Sequence, residues 1–408
     1  MRSFSEAREL ISHQVPVLAS EPISFKEALN RVLASDIVAE HDIPPFDNSS
    51  MDGYAVRTSD TVNAHSGRGG VCLEVAGEVG AGAVSSLVMG KGTAIRIMTG
   101  APLPPGADAV IEQEQVVVRN GSIEIADVVP EGNNVRRRGE DLRAGETVMT
   151  KGTVLRPAHL GILASLGKTE VPVFRRPKVG ILTTGNELID VDKPLVPGKI
   201  RNSNAYSLFG SVLESGGEPV GLGMVRDEEG ELERAIRKGL ECDVLITSGG
   251  VSVGKYDLVL QTLKKIGVEI LFWKVNIKPG KPLAFGLYGK PGAAAPVPVF
   301  ALPGNPVSTI VTFLQFVRPA LFRMAGREDD GVLRLHATIE HDIQKHDQKR
   351  HFSRGVVKSE QGRLVVRTTG TQSSGVLSSM ARANCLITLR EEQMDIKAGE
   401  SVEIEFLS

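Results

Sequence analysis

Apolar and polar positions along this 408-residue chain change their spacing several times, and each change predicts a different kind of element. Between Lys178 and Ala325 short apolar runs alternate with amphipathic stretches. Strands are predicted at Val179–Thr183, Pro219–Val225, Val244–Thr247, Glu269–Val275, Leu283–Phe285 and Val297–Ala301. Helices are predicted near Ala205–Glu214, Glu228–Leu240, Leu258–Ile266 and Val307–Met324. Such alternation specifies a doubly wound, mostly parallel α/β sheet with helices on both faces. Beyond the polar stretch Gly326–Gly331 the period drops to two. Leu333, Leu335, Ala337 and Ile339 alternate with polar residues, as do Val402, Ile404 and Phe406. That period predicts a small C-terminal β domain or barrel.

The first half reads differently. Ser3-x-x-Glu6 and Ser24-x-x-Glu27 have the spacing of capping boxes, and Ala28, Leu29, Val32 and Leu33 would form one apolar helical face behind the second. Pro44-Pro45 ends helical character. Residues 46–145 are rich in glycine and carry short Val/Ile runs, Val71–Val75, Ala94–Met98 and Val116–Val118, which suits a small β domain. Arg156 to Leu166 reads as a helix with Pro157 in its first turn. The expected organisation is a helical segment from 1–45 joined to 146–176, an inserted β domain at 46–145, an α/β domain at 177–326 and a β barrel at 327–408.

Composition narrows the function. A net charge of -2 makes no global case for nucleic acid. Cys72, Cys242 and Cys385 are widely separated and odd in number, which argues against a disulfide framework or a cysteine zinc site. The N-terminus lacks the apolar core of a signal peptide and no apolar run spans a bilayer, so a reducing cytoplasm and no membrane partner are expected. His336, His341, His346 and His351 recur every five residues, a spacing that gathers them on neither a helix face nor a strand face.

The chemistry concentrates in loops. Apolar runs ending at Thr183, Ser248 and Leu302 empty into Thr184-Gly185-Asn186-Glu187, Gly249–Asp257 and Pro303-Gly304-Asn305-Pro306-Val307-Ser308. Lys278-Pro279-Gly280-Lys281-Pro282 adds two lysines on a rigid turn. Glycine-rich turns let backbone N–H groups approach an anion, and parallel strands would bring such loops to one edge. Gly249 to Lys255 has the spacing of a nucleoside-triphosphate loop, but Tyr256 stands where a small hydroxyl would bind magnesium. An anion loop of another kind, or a structural turn, fits better. Asp257 is a helix cap or a metal ligand, Glu187 a metal ligand or a surface charge, and Asn305 an N-cap compatible with anion binding. The lysines are either held over an anion or simply solvated. Residues 46–56 and 98–108 are dense in turn chemistry, and Arg136-Arg137-Arg138 is either a solvated hairpin or a phosphate contact.

Seven segments occur together in one order: Phe46-Asp-Asn-Ser-Ser-Met-Asp-Gly-Tyr-Ala55, Met98-Thr-Gly-Ala-Pro-Leu-Pro-Pro-Gly-Ala-Asp108, Arg136-Arg-Arg-Gly-Glu-Asp141, Ile181-Leu-Thr-Thr-Gly-Asn-Glu-Leu188, Ser248-Gly-Gly-Val-Ser-Val-Gly254, Lys278-Pro-Gly-Lys-Pro282 and Leu302-Pro-Gly-Asn-Pro-Val-Ser308. In this the chain resembles the molybdopterin molybdenumtransferases, the MoeA family, whose relatives include the E domain of gephyrin. The resemblance covers essentially the whole chain. It implies four domains and an elongated homodimer whose active site is shared between chains. It implies an enzyme that binds adenylylated molybdopterin, inserts molybdate and releases AMP with magnesium assisting. Molybdopterin adenylyltransferase and maturation factors for molybdoenzymes would be its partners.

Carried over by position, the resemblance assigns catalysis to Asp52, Thr99, Asp141, Glu187, Asp227 and Asp257, with Glu187 and Asp257 on the metal. It assigns cofactor binding to Arg136, Gly249, Gly250, Ser252, Gly254, Lys278, Lys281, Pro303, Asn305, Ser308, Arg350 and Ser374. Lys255 departs from the family, where an acid is common at that place. Two other readings compete. An adenylyltransferase acting on molybdopterin shares the α/β domain alone, and a pterin-binding scaffold would do no chemistry.

Overall fold

A computed structural model describes residues 1–65, 69–83, 86–226, 228–250, 258–292 and 294–407. The α/β sheet has six strands in the order Glu218–Val225, Lys178–Thr184, Val244–Ser248, Val297–Leu302, Ala284–Tyr288 and Val268–Trp273. The first four run parallel, and the last two are joined antiparallel. Strand Val244–Ser248 is buried throughout and Lys178–Thr184 is buried after its first residue, as expected of strands covered on both faces. Helices Ser203–Glu214, Glu229–Gly239 and Leu258–Ile266 follow, as the amphipathic spacing predicts. The segment Pro306–Met324 is helical throughout, with a π turn at Phe313–Val317. Pro319 sits just past that turn; it has no N–H to donate, and its ring crowds the carbonyl of Gln315.

The C-terminal alternation closes into a barrel of five strands. Arg350–Glu360 pairs with Arg363–Thr368 and with Cys385–Leu389, and the ring completes through Arg334–Ile339 and Ser401–Phe406. A two-residue strand, Ile277–Lys278, leaves the α/β part and runs parallel to Arg350–His351 at the barrel edge. Closure leaves few free edges, and this one is covered by the lysine loop.

Residues 53–125 contribute a second six-stranded sheet, in the order Ala109–Glu112, Gly53–Val56, Thr93–Ile97, Val71–Val79, Ser122–Ile125 and Val116–Arg119. Chain on either side of it packs together. Ser20–Ser24 pairs antiparallel with Glu170–Phe174, and Ala28, Leu33 and Ile37 share a core with Met149, Leu155, Leu163 and Val173.

At the N-terminus the first capping box forms. Glu6 N–H donates to Ser3 Oγ at 3.2 Å, and Ser3 N–H to Glu6 Oε2 at 2.9 Å, opening helix Phe4–Gln14. Phe4 packs against Phe316 and Phe352 with ring centroids 5.5 and 5.4 Å away, so this helix joins the long helical segment to the barrel. The second box does not form. Phe25–Glu27 is a single 3-10 turn, Asn30 adopts φ 61°, and Val32 and Leu33 bridge extended chain at Val154 and Val173. The apolar residues expected on a helix face are spent on strand-like packing, and Leu29 is left exposed. Among the described residues no helix is long and apolar enough to cross a membrane.

Candidate functional site

A cavity of about 1070 Å3 opens where the parallel strands end. Its floor comes from Thr183–Gly185, Ser248–Gly250 and Pro303–Pro306, the predicted loops after three parallel strands. The lysine loop forms one side and barrel residues Lys349 and Gln372–Gly375 another. A single cavity of this size is at the upper end for a small-molecule site and suits a nucleotide-sized ligand.

Backbone shape fixes the floor. Gly249 has φ +99°, and a Cβ there would lie 2.2 Å from the Thr184 carbonyl oxygen. Gly250 has φ +64°, and its Cβ would lie 2.4 Å from Val259 Cγ2. Only glycine lets the chain turn this close to the neighbouring strand end. Ser248 Oγ donates to Pro303 O at 3.2 Å and accepts from Asn204 Nδ2 at 3.0 Å. Asn204 Nδ2 also donates to Gly304 O at 2.7 Å, so one helix-borne amide ties two loops. Its own Oδ1 is buried without a partner among the described residues. Asn202 caps helix Ser203–Glu214 through Ala205 N–H and donates to Thr183 Oγ1 at 2.7 Å. None of Asn202, Asn204, Arg201 and Lys349 was among the candidate site residues from sequence, and Ser248 was quoted only as the start of its loop segment. The Asn202-Ser203-Asn204 run just before a predicted helix was the available signal for the first two.

Lys278, Lys281, Pro303, Asn305, Ser308, Ser374, Gly249, Gly250 and Glu187 all line the cavity. Asn305 occupies the N-cap position, but its side chain makes no cap bond. Its Nδ2 donates instead to Ser374 Oγ at 3.0 Å, while Val307 N–H donates to Ser374 O at 3.1 Å. The barrel is thereby fastened to the start of the long helix. Arg350 does not line the cavity. Its guanidinium pairs with Glu391 at 3.0 Å and stacks over Phe4 at 4.5 Å. The arginine that lines the cavity is Arg201. Arg354, 1% exposed, stands behind the barrel side, where its Nη2 donates to Ser373 O at 3.2 Å and its Nε donates to Ser379 Oγ at 3.1 Å. It meets no carboxylate among the described residues, and burial pushes its guanidinium down to about 10.

Ser252, Gly254, Asp257 and Asp227 lie outside the described residues, as do Lys255 and Tyr256. Among those described, the cavity lining carries four cations, Arg201, Lys278, Lys281 and Lys349, against one carboxylate, Glu187. Such a balance favours a polyanionic ligand. No group of three or more His, Cys, Asp or Glu side chains able to hold a metal occurs among the described residues.

The remaining predicted residues lie elsewhere. Asp52 precedes strand Gly53–Val56 and Thr99 follows strand Thr93–Ile97. Antiparallel register, Gly53 opposite Ile97, brings them together. Asp52 Oδ1 accepts from Thr99 N–H at 2.7 Å and from its hydroxyl at 2.8 Å. The backbone hydrogen bond from Thr99, more than any other contact, holds the exposed Asp52 carboxyl below its usual value. Arg136 is exposed in Val135–Arg136, paired with Asn48–Ser49. Its neighbours Arg137 and Arg138 are bound to Asp47 and Asp42. Asp141 is exposed. None of Asp52, Thr99, Arg136 and Asp141 lines the cavity.

Three family models match the chain in order. The MoeA N-terminal region (domain I and II) matches residues 2–167, a probable molybdopterin binding domain matches 180–323, and the MoeA C-terminal region (domain IV) matches 336–407. Molybdopterin molybdenumtransferase of Haemophilus influenzae is 39% identical, with 99% of this chain and 98% of that protein aligned. The chain belongs to the molybdopterin molybdenumtransferase family. The Bacillus subtilis member is 37% identical over 98% of the chain and 92% of that protein. A crystal structure of a molybdopterin biosynthesis moeA protein from Pyrococcus horikoshii OT3 superposes with a TM-score of 0.85 at 35% identity, covering 100% of both chains. Family membership makes the chain an enzyme of the transferase class in molybdenum cofactor biosynthesis.

Proposed function

We propose that this enzyme binds adenylylated molybdopterin in the cavity, inserts molybdate at the dithiolene and releases AMP. The observation that carries the reading is the four-cation, one-carboxylate lining of a nucleotide-sized cavity built from strand-end loops. Lys278 and Lys281 offset phosphate and molybdate charge as charge-assisted donors. Ser308 and the turn at Gly249–Gly250 offer polar groups at the floor, and Ser374 holds Asn305 in place. The pterin sulfurs bind molybdenum, so no protein cysteine is required.

Magnesium fits the donor set. It takes one or two carboxylates and completes its shell with substrate phosphate and water, and Glu187 is a carboxylate beside the phosphate-binding loops. Asp257 is the second proposed ligand. When bound, magnesium neutralises phosphate charge and makes the phosphate a better leaving group.

The reading includes a homodimer with a shared site. Asp52, Thr99, Arg136 and Asp141 stand outside the cavity of their own chain, and helix Ser203–Glu214, whose first residues line it, carries an exposed apolar stripe, Tyr206, Phe209 and Leu213. A second copy seated there would bring its β insertion over the pocket and exclude water from a labile adenylate. The adenylyltransferase that supplies the substrate and the maturation factors that take the product remain proposed partners. The deciding experiment is AMP release from adenylylated molybdopterin, with and without molybdate and magnesium. Release that depends on both supports the reading; pterin binding with no release in any combination would leave a scaffold.

A further inference from the structure

Two of the four cavity cations are already engaged by a carboxylate that does not line the cavity. Asp347, on the barrel, places Oδ2 3.5 Å from Lys349 Nζ and 4.0 Å from Lys278 Nζ. Lys281 has no ion-pair partner among the described residues. Asp347 is held from behind. Lys345, 1% exposed, donates its ammonium to the carbonyl oxygens of Asp347, Glu391 and Gln393 at 2.8, 3.1 and 2.6 Å. The Asp347 Oδ1 atom accepts from Lys349 N–H at 3.2 Å and faces His351 Nε2 at 2.7 Å.

The lysine loop is fastened to the same place. Lys278 sits opposite His351 in the parallel pairing, Asn276 Nδ2 donates to Gln348 O at 2.7 Å, and Arg350 N–H donates to Asn276 O at 3.1 Å. Backbone pairing therefore holds the Lys278 and Asp347 main chains side by side, and the 59% exposed Lys278 side chain reaches the carboxylate at 4.0 Å. The carboxylate keeps its charge. Burial opposes ionisation, but hydrogen bonds from His351 and the Lys349 N–H outweigh it and bring Asp347 down to about 2. Burial pushes the His351 imidazole below its ordinary value, so at neutral pH it donates a hydrogen bond without cancelling the charge.

We infer that Asp347 is an internal counter-ion of the anion site, occupying Lys278 and Lys349 until a ligand phosphate or oxyanion displaces it. Resting on the proposed function, this makes Asp347 a determinant of affinity: it weakens the hold on anions and favours release of the phosphate product. Lys281 and Arg201, neither ion-paired among the described residues, are open to ligand from the start. The step is an exchange of ion pairs, with no bond made or broken.

The test is calorimetric titration of the full chain with inorganic phosphate and with AMP. Asp347→Asn is expected to tighten phosphate binding about threefold at low salt, the scale of an exposed ion pair, with less effect at high salt. Asp347→Glu should stay within about twofold of the parent. In a Lys278→Ala/Lys349→Ala background, Asp347→Asn should change nothing. Weaker binding in Asp347→Asn would mean the residue only maintains structure. Equal tightening without the two lysines would mean a general field effect. Either result overturns the inference. Should Asp347→Asn lose its cooperative thermal transition, Asp347→Ser keeps an acceptor for Lys349 N–H and gives the same readout. Phosphate affinity is read without turnover, so failure to release AMP would sink the proposed reaction and leave this result standing.

Discussion

The α/β cavity and the β insertion both carry acids, hydroxyls and glycines, yet the two regions use them in opposite ways. In the α/β part, parallel strands deliver three loops to one edge, and the lysine loop and barrel close two sides. In the insertion, antiparallel register makes Asp52 and Thr99 satisfy one another on an exposed surface. Parallel topology gathers several loops at one edge, whereas a single antiparallel pair brings together only the two chain ends that face each other. On the proposed function the insertion carries half a constellation, completed from outside that sheet.

The largest expected effect tests that division directly. Glu187→Ala and Asp52→Ala should each lower AMP release by about 100-fold or more, in line with loss of a group acting on the reacting phosphate. Mixing the two variants under subunit exchange should create one intact site per mixed dimer, restoring about half the activity per dimer by C2 counting. If verified mixed dimers stay as inactive as the separate variants, each site is built within one chain and the comparison drawn above fails.

Glycine substitutions give the next effect. Gly249→Ala forces a Cβ to 2.2 Å from a backbone oxygen at φ +99°. It should cost about 3 kcal/mol or more in urea unfolding, or displace the floor and abolish AMP binding. Gly100, beside Thr99, also has positive φ, +83°, but nothing lies within 4 Å of a Cβ there. Gly100→Ala should cost only about 1 kcal/mol, the backbone strain alone. Equal losses at the two positions would show that the floor is no more constrained than the exposed loop.

Most of the α/β fold was legible because strand burial and helix amphipathicity repeat over long runs, as in Val244–Ser248 and Glu229–Gly239. The barrel was legible from alternation at Ala337, Ile339, Val402 and Ile404, although Leu333 and Leu335 stay exposed. The second capping box misled because Ser24 and Glu27 are compatible with a single turn, and long-range pairing of Val32 and Leu33 won over local propensity. At the site, loops that follow strands were found and residues that brace them were not. Asn204 and Arg354 act through contacts 44 and 19 positions away, which no local spacing encodes. Lys349 and Arg350 are adjacent, and only strand register decides that the first reaches the cavity while the second turns to Phe4.

The smallest effect concerns acid sensitivity, and it separates the two regions' carboxylates. Asp347 has its folded value at about 2, below the ordinary 3.8. A depressed carboxyl contributes its full stability above the unfolded value, so the contribution is intact above about pH 5 and is lost as pH falls through 4 towards 2. The side chain is 31% exposed, so solvent screening reduces the contribution to about 1 kcal/mol. Urea midpoints at pH 6 and pH 3 should therefore fall less steeply in Asp347→Asn than in the parent. Asp52 is depressed as well, but it is fully exposed, and Asp52→Asn should leave the acid slope of stability close to the parent's. A parent-like slope in Asp347→Asn would mean that its hydrogen bonds, and not its charge, tie the lysine loop to the barrel. Reversal of the pair, with Asp52→Asn flattening the slope, would make the insertion's carboxylate the one under structural load.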